Sequence, residues 1–197
     1  MDVLAWTLVA LLSPLAGSLF IVLGGAKKVP GWVASLAVGV SFLAFCQMTF
    51  FYSSPPEQQL VLFPWIRLPG IQVEISLLVD ALSMVMGLLV TGIGLLVHLY
   101  SIGYMEGEED LERYFASLNF FVFSMLLLVL AGNLLLLFAG WEGVGLASTL
   151  LIGFWCRCKE PPRAAKKAWI VNRIGDVGLM LGLLIAFTLF QTLDILS

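Results

Sequence analysis

The feature that most constrains this chain is the recurrence of apolar runs about as long as a bilayer is thick. A helix rises about 1.5 Å per residue and the hydrocarbon core spans about 30 Å, so about 20 apolar residues cross it. Six runs qualify: roughly Val3–Leu23, Trp32–Tyr52, Leu78–Tyr100, Tyr114–Leu130, Leu134–Phe154 and Ala168–Leu189. Composition agrees, with 60% hydrophobic residues, 12% charged residues and a mean hydropathy of +1.02. A soluble domain of 197 residues has no core large enough to hide that much apolar surface. The expected fold is an all-α integral membrane protein, with residues 1–197 forming a single transmembrane domain of six helices.

The ends and loops refine this picture. The first run begins at Asp2, lacks a basic leader and is too long for a signal-peptide core, so it reads as a retained span. Pro14 interrupts it and frees a carbonyl that neighbouring helices can satisfy. Only Ala131-Gly132-Asn133 separates the fourth and fifth runs, which implies a tight antiparallel helical hairpin. The stretch 53–76 is too short and too interrupted to span. Its β-rich runs on either side of Leu68-Pro69-Gly70 predict an external hairpin lying on the membrane surface. A net charge of −3 and the lack of a basic tract argue against nucleic-acid binding. Cys156 and Cys158 form a C-R-C in a polar loop and read as reduced bystanders, and with Cys46 they are too few for a disulfide framework.

Basic residues set the expected orientation. Lys27, Lys28, Arg113, Arg157, Lys159, Arg163, Lys166 and Lys167 fall in the loops on one side, and only Arg67 falls on the other. The positive-inside rule then places the basic face in the cytoplasm, or in an organellar matrix or stroma, with the N-terminus outside. The acidic loop "YMEGEEDLER" lies on the inner face and reads as a solvated helix start.

Three charges remain inside the spans: Glu142, Arg173 and Asp176. Such residues are expensive in lipid and mark bundle interiors, ion paths or proton paths. Counted from the run ends, Glu142 lies about 18 Å below the inner boundary, Arg173 about 7 Å and Asp176 about 12 Å. The expectation is a polar ladder descending through Lys166 and Lys167, Arg173, Asp176 and Glu142. Arg173 and Asp176, three apart on one face, fit either an internal ion pair or a relay. Glu142 has Phe138, Ala139, Gly145 and Leu146 as its helical neighbours, so nothing on its own helix neutralises it. Burial favours the neutral form of a carboxylate and a nearby cation favours the charged form, so Glu142 reads as a switchable proton site. Gly140, Gly143 and Gly145 leave room for close helix approach and for water. Asp80 reads as a helix N-terminal charge, His98 as an interfacial bystander, and Asn133 and Asn172 as turn or packing residues.

"LLVDALSMVMGLLVTGIGLLVHLYSIGYM" (77–105), "LLVLAGNLLLLFAGWEGVGLASTLLIGFW" (127–155) and "AAKKAWIVNRIGDVGLMLG" (164–182) resemble the antiporter-like subunit L, or chain 5, of proton-pumping NADH:quinone oxidoreductase, respiratory complex I. Mrp-type antiporters share the W-E pair but usually not G-W-E-G-V-G. The resemblance is close over about 77–190 and general over the first two spans. It implies that Glu142 is the family's proton-transfer glutamate and that Arg173 and Asp176 are its R-x-G-D. It implies no cofactor in this chain, with NADH, flavin, iron–sulfur clusters and quinone in other subunits. It implies other membrane subunits and the bilayer as partners, in a bacterial or organellar inner membrane. One departure stands out: the family pairs this glutamate with a lysine on a seventh span, and this sequence, ending at Ser197, reads as truncated or split before it. The competing readings are a subunit of an Mrp-type cation/proton antiporter, or a structural and assembly fragment without conduction of its own.

Overall fold

The computed structural model describes residues 2–26, 29–51, 58–68, 71–155 and 160–195. Six helices run along it: α1 (Val3–Val22), α2 (Pro30–Phe51), α3 (Ala81–Tyr104), α4 (Leu111–Val129), α5 (Leu134–Ile152) and α6 (Glu160–Phe190). Each is long and apolar enough to cross a membrane. Between α2 and α3 lies an antiparallel hairpin of β1 (Gln58–Leu68) and β2 (Ile71–Val79). The Pro69-Gly70 turn lies outside the described residues, as do Lys27, Lys28, Cys156, Arg157, Cys158 and Lys159.

Local chemistry explains where the helices begin. The third apolar run starts at Leu78, yet α3 starts at Ala81, because Leu78 and Val79 still pair in β2. Asp80 then caps α3: its Oδ1 accepts from the Ser83 N–H at 2.6 Å, and its own N–H donates to Ser83 Oγ at 2.8 Å. Asn133 caps α5 through the Leu136 N–H at 2.7 Å. The larger difference is α6, which starts at Glu160, eight residues ahead of the apolar run expected from Ala168. Pro161 and Pro162 occupy its first turn, where a missing N–H costs nothing.

The helices pack as a graded row. α4 touches α1, α2 and α3 on one side and α5 on the other, and α6 packs on α5. The core lies among α1–α4 and the hairpin, with Phe45, Met48, Leu77, Leu126 and Leu130 almost wholly buried. Burial falls along the row, from 44% of the α4 span to 6% of the α6 span, which makes α6 the open edge. Small residues set the close approaches. A Cβ on Gly140 would lie 2.6 Å from the Leu128 backbone nitrogen, so α5 presses directly on the backbone of α4. Ser41 Oγ of α2 donates to the Ala10 carbonyl at 2.6 Å, which is the carbonyl that Pro14 leaves without its helical N–H.

The Ala131–Asn133 link is more than a turn. The Leu78 N–H donates to the Leu130 carbonyl at 2.8 Å, and the Gly132 N–H to the Ser76 carbonyl at 2.9 Å. On its far side the Leu134 N–H donates to the Leu193 carbonyl at 2.8 Å, with a bridge between Asn133 and Asp194. A short sheet-like belt thus ties the hairpin, the α4–α5 link and the end of α6 at one end of the bundle. At the other end the acidic loop is anchored as well as solvated. Glu108 accepts from the Trp155 indole at 3.1 Å, and the Arg113 guanidinium donates to the Phe154 carbonyl at 2.6 Å.

Candidate functional site

α5 and α6 run antiparallel in a register set by small residues. Gly153 lies against Ala165, Gly145 against Asn172, and Trp141 against Asp176. This register places Glu142 beside the Arg173–Asp176 turn of α6. Arg173 Nη1 lies 2.5 Å from Glu142 Oε2, and Arg173 Nε lies 3.2 Å from Asp176 Oδ2. Asp176 is the most enclosed of the three, its side chain 8% exposed against 26% for Glu142 and 36% for Arg173. Its other oxygen, Oδ1, accepts a hydrogen bond from the Trp141 indole N–H at 2.9 Å. Trp169, one turn before Arg173, lies under the guanidinium with 5.4 Å from Cζ to the ring centroid, a cation–π contact.

The expected ladder is therefore corrected to a cluster. Depths counted from Ala168 put Arg173 and Asp176 well above Glu142, but α6 begins at Glu160. Counted from there, Arg173 and Asp176 lie about 20 and 24 Å along their helix, at the level of Glu142. Lys166 and Lys167 are exposed, one to two turns before Arg173, and no ion pair among the described residues joins them to the cluster. The partner that Glu142 lacks on its own helix is supplied across the helix pair. Sequence reasoning missed this pair because it counted the depth of α6 from Ala168 rather than from Glu160. It also missed the part played by Trp141.

Beside the cluster is a cavity of about 270 Å³ lined by Trp141, Gly145, Ser148, Asn172 and Asp176, among others. It is half-open, and the polar side chains of Ser148, Asn172 and Asp176 share its lining with the apolar Val144 and Val171. Two carboxylates thus share one guanidinium, so with all three groups ionised the cluster carries one net negative charge. Asn172 thus faces this cavity, while Asn133 is the α5 cap. His98 lies elsewhere, fully buried between α3 and α4. Its Nδ1 is 2.7 Å from the Gly94 carbonyl and its Nε2 is 2.9 Å from Asn119 Oδ1. Gly17 of α1 leaves space for the Asn119 amide. This pair ties helices together, and it stands apart from the α5–α6 cluster. No group of three or more potential metal ligands occurs among the described residues.

Comparisons with known proteins point one way. Residues 65–115 match the family described as NADH-Ubiquinone oxidoreductase (complex I), chain 5 N-terminus. Residues 131–197 match the family described as NADH:quinone oxidoreductase/Mrp antiporter, TM. NADH-quinone oxidoreductase subunit L of Mycobacterium tuberculosis is 45% identical over 198 residues, taking in 96% of this chain and 30% of that protein. Subunit L of Escherichia coli K12 is 41% identical over 162 residues, 82% of this chain and 26% of that protein. NADH-ubiquinone oxidoreductase chain 5 of Arabidopsis thaliana is 46% identical over 158 residues, 79% of this chain and 24% of that protein. The chain thus spans less than a third of the length of these curated relatives. Among solved structures, one from the Mrp complex of Dietzia sp. DQ12-45-1b superposes with a TM-score of 0.73 at 24% identity, over 99% of this chain and 20% of that one. One from the membrane-bound sulfane sulfur reductase, an archaeal respiratory membrane complex, gives 0.79 at 15% identity, over 95% of this chain and 38% of that one. At those identities the likeness concerns the fold alone.

Proposed function

The chain belongs to the family of complex I subunit L and chain 5, related to Mrp antiporters, and corresponds to its N-terminal region; from that premise we propose that it is the N-terminal membrane part of a proton-translocating NADH:quinone oxidoreductase subunit. Glu142 is the group that gains and loses the proton. Arg173 and Asp176 are its ion pair and relay, with Arg173 balancing the charge as the proton comes and goes. The single observation that carries this reading is the Glu142–Arg173–Asp176 cluster across α5 and α6. An uncompensated carboxylate at this depth is too costly to keep, whereas one paired with a cation across the helix seam is suited to proton exchange.

The rest of the proposal follows from the same premise. The six helices form one membrane domain, with the N-terminus and the hairpin outside and the basic loops on the cytoplasmic or matrix side. The NADH, flavin, iron–sulfur and quinone chemistry belongs to other subunits, and neighbouring membrane subunits cover the open faces of α5 and α6. The test is Glu142→Gln in the intact complex, recording the NADH-driven proton gradient together with NADH:quinone turnover. Loss of pumping or of coupled turnover, with normal assembly, is the expected result. Unchanged pumping per NADH would leave the chain as a structural and assembly element.

A second reading, a subunit of an Mrp-type cation/proton antiporter, is favoured by the match of 131–197 to a family model shared by both groups. Mild-detergent copurification separates the two, with dehydrogenase subunits expected in the first case and small antiporter subunits in the second.

A further inference from the structure

Arg173 stands between two carboxylates but does not serve them equally. Its Nη1 is in short contact with Glu142, whereas its Nε faces Asp176 at 3.2 Å in a geometry that makes no hydrogen bond. Asp176 is the carboxylate on the same helix, three residues on, and the more deeply buried of the two. By proximity it is the natural partner for the guanidinium, and a bidentate Arg–carboxylate pair is the stronger arrangement. What Asp176 has instead is the Trp141 indole N–H, 2.9 Å from Oδ1.

We propose that Trp141 is a positioning residue that decides which carboxylate Arg173 serves. This rests on the reading of Glu142 as the proton-exchanging group. The indole is a neutral donor, and it satisfies one oxygen of Asp176 without adding a charge. It also fixes the Asp176 carboxylate in the rotamer that turns Oδ2 edge-on to the guanidinium, so the remaining donors of Arg173 point across to Glu142. Trp141 and Glu142 are adjacent on α5, so one stretch of helix delivers both the clamp for Asp176 and the carboxylate that benefits from it. Trp169 holds the guanidinium from its other side through the cation–π contact. With the indole N–H removed, Oδ1 loses its neutral donor, and the guanidinium, whose Nε already lies 3.2 Å from Oδ2, is the one charged donor against this carboxylate among the described contacts. The guanidinium then closes on Asp176 and leaves Glu142.

The test is Trp141→Phe in the complete complex, which keeps an aromatic ring and removes the N–H, with the Arg173 side chain located by electron cryomicroscopy and protons per NADH measured in parallel. The expected result is loss of the Arg173–Glu142 contact, formation of a bidentate Arg173–Asp176 pair, and a fall in protons per NADH. Adding Asp176→Asn removes the competing charge, so in the Trp141→Phe/Asp176→Asn variant Arg173 returns to Glu142. Arg173 remaining on Glu142 in Trp141→Phe overturns the proposal. So does a displaced Arg173 that fails to return in the double variant, because a mere packing role for the ring predicts that outcome. If Arg173 moves and returns as described while protons per NADH stay constant, the positioning role stands and the proton-exchange reading of Glu142 falls.

Discussion

Glu142 is surrounded on its own helix by apolar side chains and glycines, yet a guanidinium lies within hydrogen-bond distance of it. The presence of an ionisable residue in an apolar run was plain from the sequence, since a charge inside a span is rare enough to mark itself. Its partner was not, because pairing across helices depends on register, and the contacts that set it, Gly153 on Ala165 and Gly145 on Asn172, lie between helices rather than along one. Asp194 shows the opposite case, a titratable group just beyond a span. Partial burial, and next the negative charge of Glu74, raise its pKa above the ordinary carboxylate value. A raised acid pKa in the docked state means that docking favours the protonated form. The stabilisation is therefore full below the ordinary value and is lost as pH rises through the raised one. The segment around Asp194 should accordingly loosen with rising pH across that window. Hydrogen exchange at the Leu134 amide, which donates to Leu193, should speed up beyond the intrinsic increase with pH. Glu74→Gln should move the window to lower pH, and protection that is flat across it would refute this assignment.

At the scale of elements, the six apolar runs were legible because bilayer thickness fixes helix length more tightly than any soluble core does. The hairpin was legible too, because its β-rich runs lie on either side of a Pro-Gly pair in the sequence and are broken by Pro64, which sits at an irregularity in the register. Boundaries depended on polar details that hydropathy does not see. Asp80 and Ser83 start α3 later than the apolar run does, and Pro161 with Pro162 starts α6 earlier. The belt joining β2, the α4–α5 link and residues around 194 had no local signal, since single bridges between distant segments leave no periodicity. Pro14, inside α1, yields a direct test of element packing. Ser41→Ala should leave the Ala10 carbonyl without a donor and cost about 1–2 kcal/mol in the membrane. Pro14→Ala in that background restores the helical N–H and should recover most of the loss. Denaturation of the reconstituted protein in mixed micelles measures both, and equal losses with and without Pro14 would contradict the account.

At the scale of the whole molecule, the bundle grades from a closed cluster of α1–α4 to an open edge at α6, and the charged cluster lies where the gradation runs out. The chain spans less than a third of its relatives' length, and α5 and α6 carry Glu142, Arg173 and Asp176 at this open edge. The central claim is that Glu142 changes its protonation state during turnover while its neighbours hold its geometry. Infrared difference spectroscopy of the intact complex, cycled between oxidised and reduced states, tests this most directly in the carboxylic C=O stretching region. The account predicts a band that rises or falls with turnover in the native complex and is missing in Glu142→Gln, with the remaining spectrum unchanged. Identical spectra in that region for the native and Glu142→Gln complexes, both assembled and turning over, would contradict it.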